Sequence, residues 1–220
     1  MTETLPTGVV DSLFVGRPEK LWPDKPESAI AKTAVQRPLE AGPEGFFEDA
    51  QADLKVHGGP EKAIHHYAGD NLAFWRTRFP EAADKFVPGC FGENISTMGL
   101  HEGNLHLGDI LKAGTVTVQV CQGRQPCWKL GAHTGIAEIV LAFRETGKTG
   151  WYYRVLEEGV LAPGDEIRVT QRLHPDWPLA RVIAARFSKS PPKEAVDFLS
   201  RCPELSESWR TSFIKHTEST

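Results

Sequence analysis

The sequence lacks most features that disclose a function at sight. No Gly-x-Gly-x-x-Gly fingerprint occurs, so no NAD or flavin site of Rossmann type is evident. Gly147-Lys148-Thr149 ends like a phosphate-binding loop, but position 142 is alanine where that loop needs glycine, and no strand precedes it. Basic residues form no block and the net charge is −4, which argues against sequence-independent nucleic-acid binding. Apolar runs stop after a handful of residues, far short of a membrane span. The first residues show neither the basic nor the apolar region of a secretion signal, so a cytoplasmic protein without membrane attachment is expected. Cysteine is scarce: the four residues at 90, 121, 127 and 202 form no Cys-x-x-Cys pair and no zinc-finger spacing. In a reducing compartment they should be free thiols. Eight histidines are scattered, and the neighbours His65 and His66 would point apart on a strand, so no zinc site is assigned.

What remains is an ordinary globular composition, 40% hydrophobic and 25% charged over 220 residues, enough to bury a real core. Strand-like runs occupy residues 8–15, 28–35, 150–156 and 166–170, with a further extended segment over 46–56. Residues 105–111 and 115–121 read as paired strands joined through Lys112-Ala113-Gly114. Leu72, Trp75 and Phe79 share one face of a helix that Pro80 stops, residues 82–86 suit a short helical turn, and 136–144 suit another helix. After residue 172 the texture changes. Three helical patterns, 179–187, 192–199 and 206–214, follow Pro178, Pro191-Pro192 and the N-cap candidate Ser206. The expectation is a mainly β domain over 1–172 and a three-helix module over 173–220. So small a module should be marginal alone, and should dock on the barrel or on a second subunit of a homodimer.

Cys127 is the residue richest in chemical meaning. It lies in Cys121-Gln-Gly-Arg124-Gln-Pro-Cys127-Trp-Lys129, beyond a strand, with two cations flanking the thiol. Nearby positive charge favours a thiolate, able to attack an electrophile, carry sulfur or ligate a soft metal. Lys55-Val-His57-Gly58-Gly59-Pro60 sets a cation and an imidazole beside glycines whose N–H groups suit an anion, although a plain Gly-Gly-Pro turn reads equally well. Glu93 and Asn94 can hydrogen-bond a polar heterocycle or simply close a turn. Cys121 falls on the Thr115-Thr117-Gln119 face of its strand, as a second pocket thiol or, more plainly, a packing residue.

In their order, Lys55 to Pro60, Tyr67, Phe91-Gly-Glu-Asn-Ile-Ser96, Gly108-Asp109, Arg124-Gln-Pro-Cys127-Trp-Lys-Leu130, Thr146 to Trp151 with Arg154-Val-Leu, and Glu204 to Arg210 resemble the MOSC domain family and its YiiM-like group. Gly123 departs from the pattern, standing where proline precedes the arginine, and Cys121 replaces a serine. The resemblance implies a β-barrel-like MOSC fold, a three-helix tail and a pocket for the molybdenum cofactor, a molybdopterin whose dithiolene and phosphate carry negative charge. It places the family's cysteine on Cys127, as molybdenum ligand or sulfur carrier. Lys55, Arg124 and Lys129 would then balance charge, Gly58 and Gly59 would add N–H groups, Glu93 and Asn94 would read the pterin edge, and His57 would contact the cofactor or donate a proton. The implied activity is reduction of N-hydroxylated small molecules such as hydroxylaminopurine-type bases, fed by a separate electron-donating reductase. The alternative is a cofactor or sulfur carrier that holds a Cys127 persulfide without turnover.

Overall fold

A computed structural model describes residues 4–218. Eleven strands appear among the described residues: β1 (Thr7–Val15), β2 (Thr33–Val35), β3 (Leu39–Gly42), β4 (Gly45–Phe46), β5 (Ile64–Ala68), β6 (Ile95–Met98), β7 (Ile110–Ala113), β8 (Val116–Gly123), β9 (Trp151–Glu157), β10 (Gly159–Leu161) and β11 (Glu166–Gln171). Six helices accompany them: α1 (Asn71–Arg78), α2 (Trp128–Thr134), α3 (Ile139–Thr146), α4 (Leu179–Phe187), α5 (Lys193–Leu199) and α6 (Glu207–Glu218). Seven strands close into a barrel in the order β11-β7-β8-β9-β5-β6-β1, because β1 pairs back onto β11 through Thr7↔Arg168 to Val9↔Glu166. The far end of β1 carries β2 outside the ring, and β10, β3 and β4 make a small second sheet. Every barrel pairing is antiparallel except β5 with β6. That parallel pair requires a crossover, which carries α1 and the turn through Phe91 to Asn94 to one side of the barrel.

Two apolar clusters result. One fills the barrel and continues without a break under α4–α6, joining Val118, Val120 and Trp151 to Val182, Ile183, Leu199, Trp209 and Phe213. The other is aromatic and lies beneath α1–α3, where Trp75 stacks on Phe143 at 5.0 Å and Phe91 meets Tyr67 at 4.7 Å. The helical module thus docks on its own barrel. Its helices begin where the sequence signals them: Pro178 and Pro192 precede α4 and α5, and the Ser206 hydroxyl accepts the Trp209 N–H at 3.4 Å.

Several expected strands shrink, each because side chains claim the backbone. Residues 28–35 keep only β2, since Lys32 turns inward to a buried ion pair with Asp49 and Ile30 lies against the Gly92 turn. The extended segment expected over 46–56 retains only Phe46. Beyond it, Asp53 accepts the N–H groups of Lys55 and Val56, each at 3.1 Å, in an Asx-type turn. The strand expected from 105 begins at Ile110, because Asp109 accepts the His106 N–H at 2.9 Å and bends the chain there. Ala113 belongs to β7, so the hairpin turns at Gly114 and Thr115, with Gly114 at φ +55. The helix expected from 136 starts at Ile139.

Candidate functional site

The arginine-to-cysteine segment leaves the barrel at the end of β8 and turns at once into α2, with Cys127 as its extended N-cap residue at φ −131, ψ 173. Short α2 then folds Lys129 back toward the same space. The segment 49–52, the turn around His57, Lys62, His65 of β5, Gly92, Asn94, Arg124, Gln125 and Tyr152 of β9 complete a cleft of about 620 Å³, mouth included. Four cationic side chains line it, Lys32, Lys62, Arg124 and Lys129, against one carboxylate, Asp49. Asp49 is already paired with Lys32 and accepts from Gly16 N–H at 2.7 Å and Asn94 Nδ2 at 2.9 Å. The surplus of positive charge favours an anion.

The cations differ in what restrains them. Burial is the largest influence on Lys32 and pulls its pKa down, while Asp49 opposes that shift. Arg124 donates to the Phe91 carbonyl as it lines the cleft. Lys129 is only 8% exposed, yet makes no hydrogen bond or ion pair among the described residues. Its ammonium is left open to the cleft, where an anion could pair with it.

His57 Nε2 lies 3.8 Å from Cys127 Sγ, close enough for a weak sulfur hydrogen bond. Burial, then the charges of Lys129 and Arg124, lower the His57 pKa to about 4, so the imidazole is neutral near pH 7. In that form Nε2 can accept a hydrogen bond from the Cys127 thiol. His57 Nδ1 and both ring nitrogens of His65 are buried without a well-formed hydrogen bond. They too fit a polar occupant.

A second cavity of about 750 Å³, mouth included, adjoins the first. His57, Lys62, Gln125, Cys127 and Tyr152 line both. The remaining wall comes from Lys55, Val56 and Gln122 and from Arg186, Ser208 and Trp209 of the helical module. Cys127 therefore stands in a partition between two chambers that both carry cations, Lys32, Arg124 and Lys129 in the first, Lys55 and Arg186 in the second and Lys62 in both, with amide, hydroxyl and indole groups added in the second.

Of the residues read from sequence, Cys127, His57, Asn94, Arg124 and Lys129 meet in the first cleft, and Lys55 lines only the second. Gly58 and Gly59 line neither, and lie in the link between His57 and Lys62. Glu93 is fully buried and accepts the N–H groups of Gly89 at 2.6 Å and Phe91 at 3.0 Å, which shapes the turn that faces Arg124. Asn94 Oδ1 accepts the His65 N–H at 3.1 Å, and its amide nitrogen serves Phe14 and Asp49. Cys121 reaches neither cavity; a β-bulge between Val120 and Gln122 buries its thiol against the carbonyls of Glu61 and Tyr152 at 3.1 and 3.5 Å. Burial pushes that thiol up to about 12, in keeping with a packing role. All four cysteines are free. Lys32, Asp49, Lys62, His65 and Tyr152 are site residues that sequence reading missed; the one available signal was a lysine at 32 inside an otherwise apolar run.

A barrel with a cationic, thiol-bearing cleft defines a recognised class: residues 53–168 match the MOSC domain model. Residues 177–215 match the model described as "YiiM-like, 3-alpha helix domain", and the chain belongs to the MOSC domain family, in its YiiM-like group. It is 41% identical to Protein YiiM of Escherichia coli K12 over 152 residues, 69% of this chain and 68% of that one. It is 33% identical over 182 residues to a protein of Gibberella moniliformis named Reductase, covering 81% of this chain but 31% of the fungal protein. The crystal structure of YiiM from Geobacillus stearothermophilus superposes with a TM-score of 0.80 at 34% identity, covering 96% of this chain and 98% of that one. No helix of the described residues is long and apolar enough to cross a membrane.

Proposed function

We propose that this protein is a cytoplasmic, molybdenum cofactor-dependent oxidoreductase that reduces N-hydroxylated compounds, hydroxylaminopurine-type bases among them. The observation that supports it most is the position of Cys127 between two chambers, since a carrier needs room for its cargo alone whereas an enzyme needs room for a substrate as well. The likeness to a fungal protein named Reductase agrees with reductive chemistry. The cofactor would supply a two-electron metal centre that prefers soft sulfur donors. Cys127 would ligate it, and Lys129, Arg124 and Lys62 would neutralise its phosphate and dithiolene. Neutral His57 would accept a hydrogen bond from the Cys127 thiol, whose proton would pass to solvent when the metal is bound. The substrate would lie in the second chamber, within reach of Gln122, Gln125 and Trp209. Overall, the N–O bond gains two electrons and two protons and yields an amine and water. The electrons would come from a separate reductase, because no nicotinamide or flavin fingerprint is present.

Freshly purified protein should contain molybdenum and pterin, and Cys127→Ala should lose the metal together with reduction of 6-hydroxylaminopurine by a chemical donor. Reduction of the substrate by metal-free protein would overturn the mechanism. An added sulfur on Cys127 by mass spectrometry, with no turnover under any donor, would establish the carrier instead.

A further inference from the structure

Far along the chain from the cleft, three side chains converge where the helical module meets the barrel. His174 lies in the link from β11 to α4, and Cys202 and Glu204 lie in the turn between α5 and α6. Their donor atoms lie close together: His174 Nε2 to Glu204 Oε2 is 2.9 Å, Cys202 Sγ to Nε2 is 3.6 Å, and Sγ to Oε2 is 3.4 Å. Tetrahedral zinc bonds of about 2.3 Å to sulfur and 2.0–2.1 Å to nitrogen and oxygen would set such atoms roughly 3.3–3.6 Å apart. The two edges that meet at Cys202 Sγ match one face of a zinc tetrahedron, and the His174–Glu204 edge of 2.9 Å, now a hydrogen bond, needs to open by only about 0.4 Å.

We propose that His174, Cys202 and Glu204 bind a divalent zinc ion that fastens the three-helix module to the barrel. Two other readings fit less well. In a cysteine–histidine–carboxylate catalytic relay the sulfur and the carboxylate use opposite ring nitrogens, whereas here a single Nε2 faces both, and neither cavity reaches the group. Calcium and magnesium take oxygen donors, whereas one thiolate, one imidazole and one carboxylate suit zinc. Thiolate and carboxylate together also cancel the ion's double charge. Cys202 is 3% exposed, while the side chains of His174 and Glu204 are each 21% exposed, which leaves a solvent side for a water as fourth ligand.

The surroundings hold the donors in place. His106 Nδ1 lies 3.1 Å from the His174 carbonyl, and Arg154 donates to the Glu204 carbonyl at 3.2 Å. Gly108, at φ +76, lies so close that a Cβ there would come within 3.1 Å of both His174 Cδ2 and Glu204 Cγ. Binding converts the Cys202 thiol and aqueous zinc into a zinc–sulfur bond and a released proton, with no redox change. Sequence spacing hid the group because 28 residues separate His174 from Cys202.

The test is a cobalt(II) titration of the metal-free full-length protein, read by the thiolate-to-cobalt absorption band. One equivalent should saturate the band in wild type and in Cys127→Ala. In Cys202→Ala and Glu204→Gln it should vanish or need well over about 100-fold more cobalt, beyond the 10–100-fold effect of losing an outer partner of a ligand. Glu204→Gln retains the shape of its side chain, so it tests the site even if Cys202→Ala misfolds. Zinc should then displace the cobalt and raise the wild-type melting temperature. Two results would overturn the proposal: a band lost in Cys127→Ala but kept in Cys202→Ala, which places the ion at Cys127 and His57, or no band in any protein, which leaves the three residues as a hydrogen-bonded link.

Discussion

At the scale of residues, the cleft separates groups that hold the fold from groups that only line the cavity. Lys129 is 8% exposed and makes no hydrogen bond or ion pair among the described residues, so its ammonium lines the cleft without contributing a contact to the fold. Lys129→Met should change the urea midpoint little, because no hydrogen bond or ion pair within the protein is lost, while on the proposed function molybdenum content falls. Glu93 should behave in the opposite way. Glu93→Ala strands the buried N–H of Phe91, at about 1–3 kcal/mol, and frees the partly buried N–H of Gly89, and thermal denaturation should show the loss even in protein prepared without cofactor. His66 sets a third expectation. It lies inside the barrel between Tyr153 Oη at 3.0 Å and Thr97 Oγ1 at 2.8 Å, and burial lowers its pKa to about 3. Between the unfolded value near 6.5 and that folded value, the unfolded chain binds one more proton than the folded one. Stability must therefore fall with pH through this window, by about 1.4 kcal/mol per pH unit from this group alone. His66→Gln should flatten the slope of unfolding free energy between pH 6.5 and 4.5 by one proton, and an unaltered slope would disprove the assignment.

At the scale of elements, Gly123 shows why a loop can depart from its family's pattern. A Cβ there would come within 2.5 Å of Ile183 Cγ1 and 2.9 Å of Trp209, so α4 and α6 already occupy the space a side chain or proline ring would need. Gly123→Ala should cost about 1–3 kcal/mol through overpacking, measurable by chemical denaturation. The same elements show what could be read from the chain. The helices 179–187 and 193–199 and the cap at Ser206 were legible because prolines and a serine act locally. The loss of strand at 28–32 was not, because Lys32 leaves the sheet for Asp49, a partner 17 residues away that only the folded chain supplies. Helix α2 also went unread, since seven residues after a cysteine N-cap carry no strong periodic signal. Cys127, His57, Arg124 and Lys129 were found as local motifs. Lys62, His65 and Tyr152 reach the cleft only through closure of the barrel, and nothing near them in the chain marks them.

At the scale of the whole molecule, barrel and tail share one apolar interior. A chain ending at residue 172 would expose the barrel surface that Val182, Ile183, Trp209 and Phe213 cover, and should aggregate or melt well below the intact protein. Recovery of a monodisperse fragment with full activity would refute that interdependence. Arg154 reinforces it, joining Glu61 at 2.7 Å and Gln119 at 3.0 Å on one side to the Glu204 carbonyl on the other.

Arg186, Ser208 and Trp209 reach the wall beyond Cys127 from the same tail that seals the interior. On the proposed function, selectivity would then be written in a different stretch of the polypeptide from reactivity. Grafting the last three helices of a relative onto this barrel should exchange which compounds are accepted while the metal and its pterin stay bound as before.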